Sequence, residues 1–337
     1  MNIQQLEYIV AVDSYRHFAK ASEKSFVTQP TLSAMIQKLE EELSVKIFDR
    51  TKHPVMPTRP GEEIIRRAKL ILSEVNGLRN FALELMGETV GEMRLGIIPT
   101  LAPYLLPLFL KSFREKNPGL TLFIREMVTD EIIASLKSGE LDMGLLATPL
   151  HEAKLKEHFL FFEELFVYAD GCNGITGKKH LELREIDFSN LWLIEEGHCL
   201  RTQVLNLCEL QKFDSGNVNL HYQAGSLETL INLVDNHQGM TIIPELAVHN
   251  LKPGQKDKIH RFAEPQPARE ISLVVGKDFP RQKLLNRIRT EILCAVPLDL
   301  NLRGKKILEF KQASVPASAN GHIAAETIHP ALLYAHE

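Results

Sequence analysis

The chain has 337 residues, 44% of them apolar, and a formal net charge of -4. That length exceeds one ordinary domain and that apolar content can fill two or three cores. The acidic balance excludes a protein coated in positive charge for nucleic acid, and no apolar run approaches the roughly 20 residues of a membrane helix. Residues 1–10 lack the basic start, apolar core and cleavage site of a secretory leader, so the expectation is a soluble, cytoplasmic protein with no membrane partner. Charge is unevenly spread. Residues 1–60 hold eight Lys/Arg against seven acids, net +1, which leaves -5 on the remainder. Cys172, Cys199, Cys208 and Cys294 are too few for a disulfide framework and form no CxxC pair, so neither a structural metal nor a cofactor is expected.

The first helix is read over residues 3–12, where Leu6, Ile9, Val10 and Ala11 share a face. A short second helix over 18–24 leads through a tight turn to Thr28-Gln29-Pro30-Thr31, with Thr28 suited to cap a third helix and Pro30 to its first turn. Short helix, turn and new helix make a helix-turn-helix. In the third helix Leu32, Met35, Ile36, Leu39 and Leu43 form the inner stripe. Thr31, Ser33, Ala34, Gln37 and Lys38 face outward, small and amide side chains of the kind that reach base edges. The same face also fits an ordinary solvated helix surface. Residues 47–61 are short, basic and proline-rich and read as a wing whose Arg50, Lys52 and Arg59 reach the sugar-phosphate backbone.

The runs Phe18-Ala19-Lys20-Ala21-Ser22, Thr28-Gln29-Pro30-Thr31-Leu32-Ser33, Ile36-Gln37-Lys38-Leu39-Glu40 and Phe48-Asp49-Arg50 stand in the order of the LysR family of bacterial transcriptional regulators, which this chain resembles. Pro57 departs from it, standing where the wing usually carries an apolar strand residue. Residues 62–86 follow as one long helix with Ile64, Ala68, Ile71, Val75, Leu78, Ala82 and Leu85 in steps of four and three. This heptad seam needs a partner surface and favours a second chain, bringing two DNA-reading heads together. After a hinge over 87–92, strand and helix alternate, which argues a parallel sheet covered by helices. Strands are read over 93–98, 120–126, 143–147, 162–168, 191–194, 221–223, 241–243 and 271–275, with helices over 101–116, 131–138 and 227–235.

The resemblance covers residues 1 to about 300 and implies an α+β multidomain protein. A winged helix-turn-helix DNA-binding domain spans 1–60, a linker and dimerisation helix 61–87, and a two-lobed α/β redox-sensing effector domain, similar to periplasmic binding proteins, 91–300. The C-terminal extension, 301–337, has no counterpart; 305–311 read as helical and 313–337 as a weakly ordered tail.

Glu195-Glu196-Gly197-His198-Cys199-Leu200-Arg201, followed by Gln203 and Cys208, resembles the redox segment of the peroxide-sensing OxyR branch of that family, and Ser226-Leu227-Glu228-Thr229-Leu230 resembles the same branch. Cys199 falls at the expected start of a short helix, where backbone N–H groups favour a thiolate, the form that attacks peroxide. Cys208 is then the candidate resolving thiol. If residues 200–207 are helical, the two cysteines lie on opposite faces and roughly 13 Å apart along the axis, so a disulfide demands that the helix break. The plainer reading makes both of them small buried apolar residues, and Cys172 and Cys294 have no special context.

The resemblance implies Thr100, Thr129 and His198 around the reacting peroxide and Arg269 near the peroxidatic sulfur. Their ordinary alternatives are helix caps, a surface imidazole and a strand-edge salt bridge. Thr202 stands where the family's best-known form has Asp. The expected partners are promoter double-stranded DNA, hydrogen peroxide, a second copy in a homodimer or homotetramer and, by resemblance, RNA polymerase. Two other functions compete: a LysR regulator binding a small anionic metabolite between the lobes, and a thiol peroxidase. The DNA-reading head and heptad helix argue for a regulator over an enzyme.

Overall fold

The computed structural model describes residues 1–85, 90–172, 178, 180–183, 191–195, 198–207, 224–297 and 305–308. The N-terminal head packs α1 (Ile3–Tyr15), α2 (Phe18–Lys24) and α3 (Gln29–Leu43) around a small core. Asn2 and Gln5 close a capping box on α1. Thr28 caps α3 as its position suggests, its hydroxyl accepting from the Thr31 N–H at 3.4 Å, with Pro30 in the first turn. Leu32, Ile36 and Leu39 bury their stripe against Leu6, Ile9 and Val12. Strands β1 (Phe48–Asp49) and β2 (Met56–Pro57) pair antiparallel as the wing, with Pro57 opposite Phe48. Pro57 is therefore accommodated in the hairpin.

Helix α4 (Arg59–Leu85) begins three residues before the predicted start, because the Thr58 hydroxyl accepts the Gly61 N–H at 3.0 Å and supplies a cap. Arg59 thus opens the helix and does not belong to the hairpin. A Cβ at Gly61 would lie 2.0 Å from the Ile47 carbonyl oxygen, so this close crossing of helix and wing requires glycine. The heptad seam divides. Ala68 is buried in the head's own core with Ile64 packed against it, whereas Ile71 and Leu78 are exposed, as is Phe81. The side chain of Leu85 lies outside the described residues.

The remaining elements are β3 (Gly91–Ile97), α5 (Ala102–Lys116), β4 (Leu120–Glu126), α6 (Thr129–Ser138), β5 (Met143–Thr148), β6 (Leu155–Asp170), β7 (His180–Leu181), α7 (Cys199–Leu207), α8 (Leu227–His237), β8 (Gly239–Pro244), α9 (Glu245–His249), α10 (Pro253–Lys256), β9 (Ile259–Phe262), β10 (Gln266–Gly276), α11 (Gln282–Ala295) and β11 (Lys305–Ile307). Their strands form one curled sheet in the order β4-β3-β5-β10-β6-β9-β7, with β8 on β6 and β11 on β10. The expectation of a parallel sheet holds for β4, β3 and β5, and again where the short strands β7 and β11 run parallel to β9 and β10. Strand β10 runs antiparallel to both β5 and β6, and β8 antiparallel to β6, so the sheet is mixed.

The 16-residue β6 joins the lobes: its first part pairs with β10, and from Leu165 onward it pairs with β8. Residues 191–194 contribute only single bridges at Leu191 and Ile194, not a strand. The strand predicted over 221–223 lies outside the described residues. The C-terminal segment departs most from expectation, because Lys305–Ile307 forms a strand parallel to β10 where a helix was predicted.

The first lobe rests on the linker helix. Gly139, at φ +73, brings its backbone against Ser73, and Lys69 bonds both Asp13 of α1 at 3.2 Å and Glu140 at 2.7 Å. Among the described residues, no helix is long and apolar enough to cross a membrane.

Candidate functional site

Three threonines mark the carboxyl ends of the three parallel strands. Thr100 follows β3, Thr129 follows β4 and Thr148 ends β5, and all three are buried. In open α/β sheets this edge is where small ligands bind. Neither Thr100 nor Thr129 caps its helix: the N-cap positions are Leu101 and Val128, without side-chain bonds. Thr148 is committed, its hydroxyl donating to Glu270 at 2.6 Å and lying 2.7 Å from that of Ser272. Thr129 is not: its fully buried hydroxyl has no partner among the described residues. A buried hydroxyl without a bond costs free energy, so this one is suited to a small polar molecule.

Thr100 is held by Arg269. The Arg269 Nη1 donates to its hydroxyl at 2.9 Å and Nη2 to its carbonyl oxygen at 3.2 Å. The same guanidinium meets Glu163 at 2.9 Å through Nε and 2.8 Å through Nη2, with both side chains fully buried. The second oxygen of Glu163 accepts the Leu246 N–H at 3.0 Å. Arg269 lies on β10, between β5 and β6, so its salt bridge is central in the sheet and not at an edge. Its charge is met by Glu163, a residue that no motif in the sequence singles out. The signal is present: Glu163 and Glu164 interrupt the apolar run 159–168, and a buried acid requires a partner. Near this pair stands Tyr104, whose hydroxyl is held protonated by burial first and by the Glu228 and Glu163 carboxylates next.

Cys199 is the first residue of α7 and is buried in the core of the effector domain. His198 precedes it and is also buried, not a surface imidazole, with Nε2 3.6 Å from a Glu195 carboxylate oxygen. Burial pushes the His198 imidazole below its usual value, and Glu195 pulls partly the other way. The helix is tied on both sides: Arg201 Nη1 in its first turn donates to the Ile194 carbonyl at 3.0 Å, and Gln203 Nε2 in its second to the Leu308 carbonyl at 3.1 Å. Cys208 lies outside the described residues. Cys172 is half-buried and Cys294 exposed.

In the head, Thr28, Gln29, Pro30, Thr31, Ala34, Gln37 and Lys38 are exposed on or beside α3, with Ser33 half-buried. Arg50 turns back onto this helix. It donates to the Ser33 hydroxyl at 2.9 Å, lies 3.6 Å from buried Glu40 and stacks over Phe18 at 5.0 Å. It therefore fixes the angle between wing and α3, while Lys52 and Arg59 remain exposed. Arg16, His17, Lys20, Gln29, Ser33 and Arg50 line a groove between α2 and the wing, which adds Arg16, His17 and Lys20 to the residues the sequence singled out.

A winged helix-turn-helix joined by one long helix to a two-lobed α/β module, with a buried cysteine in the second lobe, defines a DNA-binding regulator governed by its effector domain. Residues 3–62 match the family model for bacterial regulatory helix-turn-helix proteins of the lysR family, and residues 86–296 match the LysR substrate binding domain. The chain belongs to the LysR family of transcriptional regulators, in its OxyR branch. It is 34% identical to the hydrogen peroxide-inducible genes activator of Haemophilus influenzae, across 87% of this chain and 96% of that one. Identity to the DNA-binding transcriptional dual regulator OxyR of Escherichia coli K12 is 35%, across 83% and 91%. Among solved structures, a full-length OxyR variant from Pseudomonas aeruginosa superimposes with a TM-score of 0.72 at 31% identity, covering 88% of this chain and 99% of that one. Reduced OxyR from Porphyromonas gingivalis gives 0.58 at 33%, covering 64% and 100%.

Proposed function

We propose that this protein senses hydrogen peroxide through Cys199 and Cys208 and, in response, activates oxidative-stress genes from promoter DNA. The observation that carries the reading is the placement of Cys199 at the head of α7, directly after buried His198, in a chain similar along most of its length to peroxide-inducible activators.

The chemistry runs in two steps. The Cys199 thiolate attacks one peroxide oxygen; an S–O bond forms, the O–O bond breaks, and the departing hydroxide takes up a proton to leave as water. The Cys208 thiol then attacks the sulfenic sulfur; an S–S bond forms, the S–O bond breaks, and a second water leaves. Two thiols give up two electrons to one peroxide, and a dithiol reductant reverses the change. Thr100, Thr129 and His198 hold and polarise the peroxide, with the free hydroxyl of Thr129 supporting that role. Arg269 acts mainly by fixing Thr100, because Glu163 already balances its charge. Since α7 is helical from Cys199 to Leu207, a span of about 12 Å, closing a disulfide between Cys199 and Cys208 requires the helix to open, which makes the disulfide a switch between two packings.

Thr28, Gln29, Pro30, Thr31, Ser33, Ala34, Gln37 and Lys38 face the major groove, with Lys52 and Arg59 on phosphate and Arg50 bracing the wing. The exposed Ile71, Leu78 and Phe81 on α4 favour a homodimer, with RNA polymerase as the partner at the promoter and the cytoplasm as the site of action. Thiol counting and peptide mapping before and after a small excess of peroxide test the switch. Loss of two thiols as a Cys199 to Cys208 disulfide, reversed by dithiol, is the expected result. If both thiols stay free while DNA binding is intact, a metabolite in the interlobe cleft replaces peroxide as the signal.

A further inference from the structure

The strand β11 lies beyond residue 296, where the family match ends, yet it is built into the sheet alongside the strand that carries Arg269. It pairs with β10 at Gln266, Pro267 and Ala268, the three residues before Arg269. The next residue, Leu308, is 5% exposed and has both backbone groups engaged. Its N–H donates to the Ala268 carbonyl at 2.8 Å, and its carbonyl accepts from Gln203 Nε2 at 3.1 Å. Gln203 is fully buried and sits one helical turn after Cys199, so one residue of the tail bonds the sensing helix on one side and the Arg269 strand on the other.

This geometry bears on the redox step. A disulfide needs its Cα atoms within about 7 Å, whereas the helix from Cys199 to Leu207 already spans about 12 Å. Gln203 stands near the middle of the segment that must unwind. Its amide cannot keep its bond to Leu308 while the backbone that carries it is rebuilt.

We propose that Gln203 and the C-terminal segment 305–308 are positioning elements of the sensing site: together they latch α7 in its reduced, helical form, and closure of the Cys199 to Cys208 disulfide releases the strand from β10. The latch rests on the peroxide-sensing reading given above. It makes the tail a reporter of the oxidation state and gives residues near the C-terminus a place in the switch.

Amide hydrogen exchange on the full-length protein tests the latch through the peptide spanning 305–308, compared in the dithiol-reduced and peroxide-oxidised states with the disulfide mapped in parallel. Protection of that peptide is expected to fall by about tenfold or more on oxidation. The reduced Gln203→Met variant, checked for native circular dichroism, is expected to lose protection at the same peptide without any oxidant. A generally weakened fold would instead loosen peptides across the effector domain. If the disulfide forms and protection of 305–308 is unchanged, the latch is wrong while the peroxide reading stands. If no disulfide forms, the peroxide reading fails and the latch fails with it.

Discussion

Glu163 and Arg269 stand directly opposite one another on β6 and β10 and form a fully buried ion pair at 2.8 Å. Glu163 also receives the Leu246 N–H of α9 in the second lobe, and Arg269 reaches Thr100 in the first. The pair thus joins the two lobes at the place where β6 passes between them. Removing one partner strands the other charge in the core. Glu163→Gln is expected to lower unfolding free energy by about 3–5 kcal/mol in urea titration, and Arg269→Met by a similar amount. The double variant should lose clearly less than the sum, because it leaves no uncompensated charge. Additive losses would show that the pair does not act as a unit.

The His198 imidazole gives the fold a pH dependence with a definite sign. Burial holds its pKa below the ordinary 6.5, so as pH falls below about 6.5 the unfolded chain takes up a proton that the folded chain resists. Stability contributed by this group is therefore full above that value and declines toward lower pH. His158 is shifted the same way, by burial first and then by Lys156 and Arg289, so the comparison must be made by difference. Wild type should lose more stability than His198→Gln between pH 7 and pH 5.5, as read from denaturant midpoints. Parallel curves for the two proteins would remove His198 from the titration.

Local signals carried much of this structure in plain view. Thr28, Pro30 and the stripe Leu32, Ile36 and Leu39 announce α3 because capping and helical periodicity are properties of a few consecutive residues. Cys199 at a helix start was legible for the same reason. What pairs with what was not. The run 271–275 reads as a buried strand in either orientation, so its antiparallel setting between β5 and β6 is decided by chain topology. Residues 305–311 carry a short apolar pattern that suits helix or strand, and only the open edge of β10 makes 305–307 a strand. Glu163 signalled a need for a partner without saying that Arg269, 106 residues away, would fill it.

The head should separate positioning from reading. Lys52 is exposed on the wing and weakly paired with Asp49 at 4.0 Å, free to neutralise phosphate. Lys52→Ala is expected to weaken binding alike on specific and unrelated DNA and to flatten the slope of log affinity against log salt by about 0.9 per subunit contact. Gln37 is exposed on the outer face of α3, bonded to Glu41 at 3.0 Å. Gln37→Ala should cost about 1–3 kcal/mol on the cognate operator alone and relax its preference at one base pair per half-site. Fluorescence anisotropy over a salt series distinguishes the two, and equal loss on all sequences for Gln37→Ala would assign it to the backbone.

The divided seam of α4 sets the last test. Ala68 is 1% exposed within the head's own core, whereas Leu78, ten residues on along the same seam, is 70% exposed in the single chain. A large apolar side chain left in water is a surface that a second copy can cover, so the exposure of Leu78 supports a contact between chains there, whereas buried Ala68 serves the fold. Leu78→Asp is therefore expected to shift sedimentation toward the monomer, leave the thermal midpoint of the isolated chain nearly unchanged, and weaken binding to a two-half-site operator far more than to a single half-site. Ala68→Asp should instead unfold the head, because its carboxylate has no route to water. If Leu78→Asp sediments as wild type does, the chains meet elsewhere, and the exposed row of Ile71, Leu78 and Phe81 needs another partner.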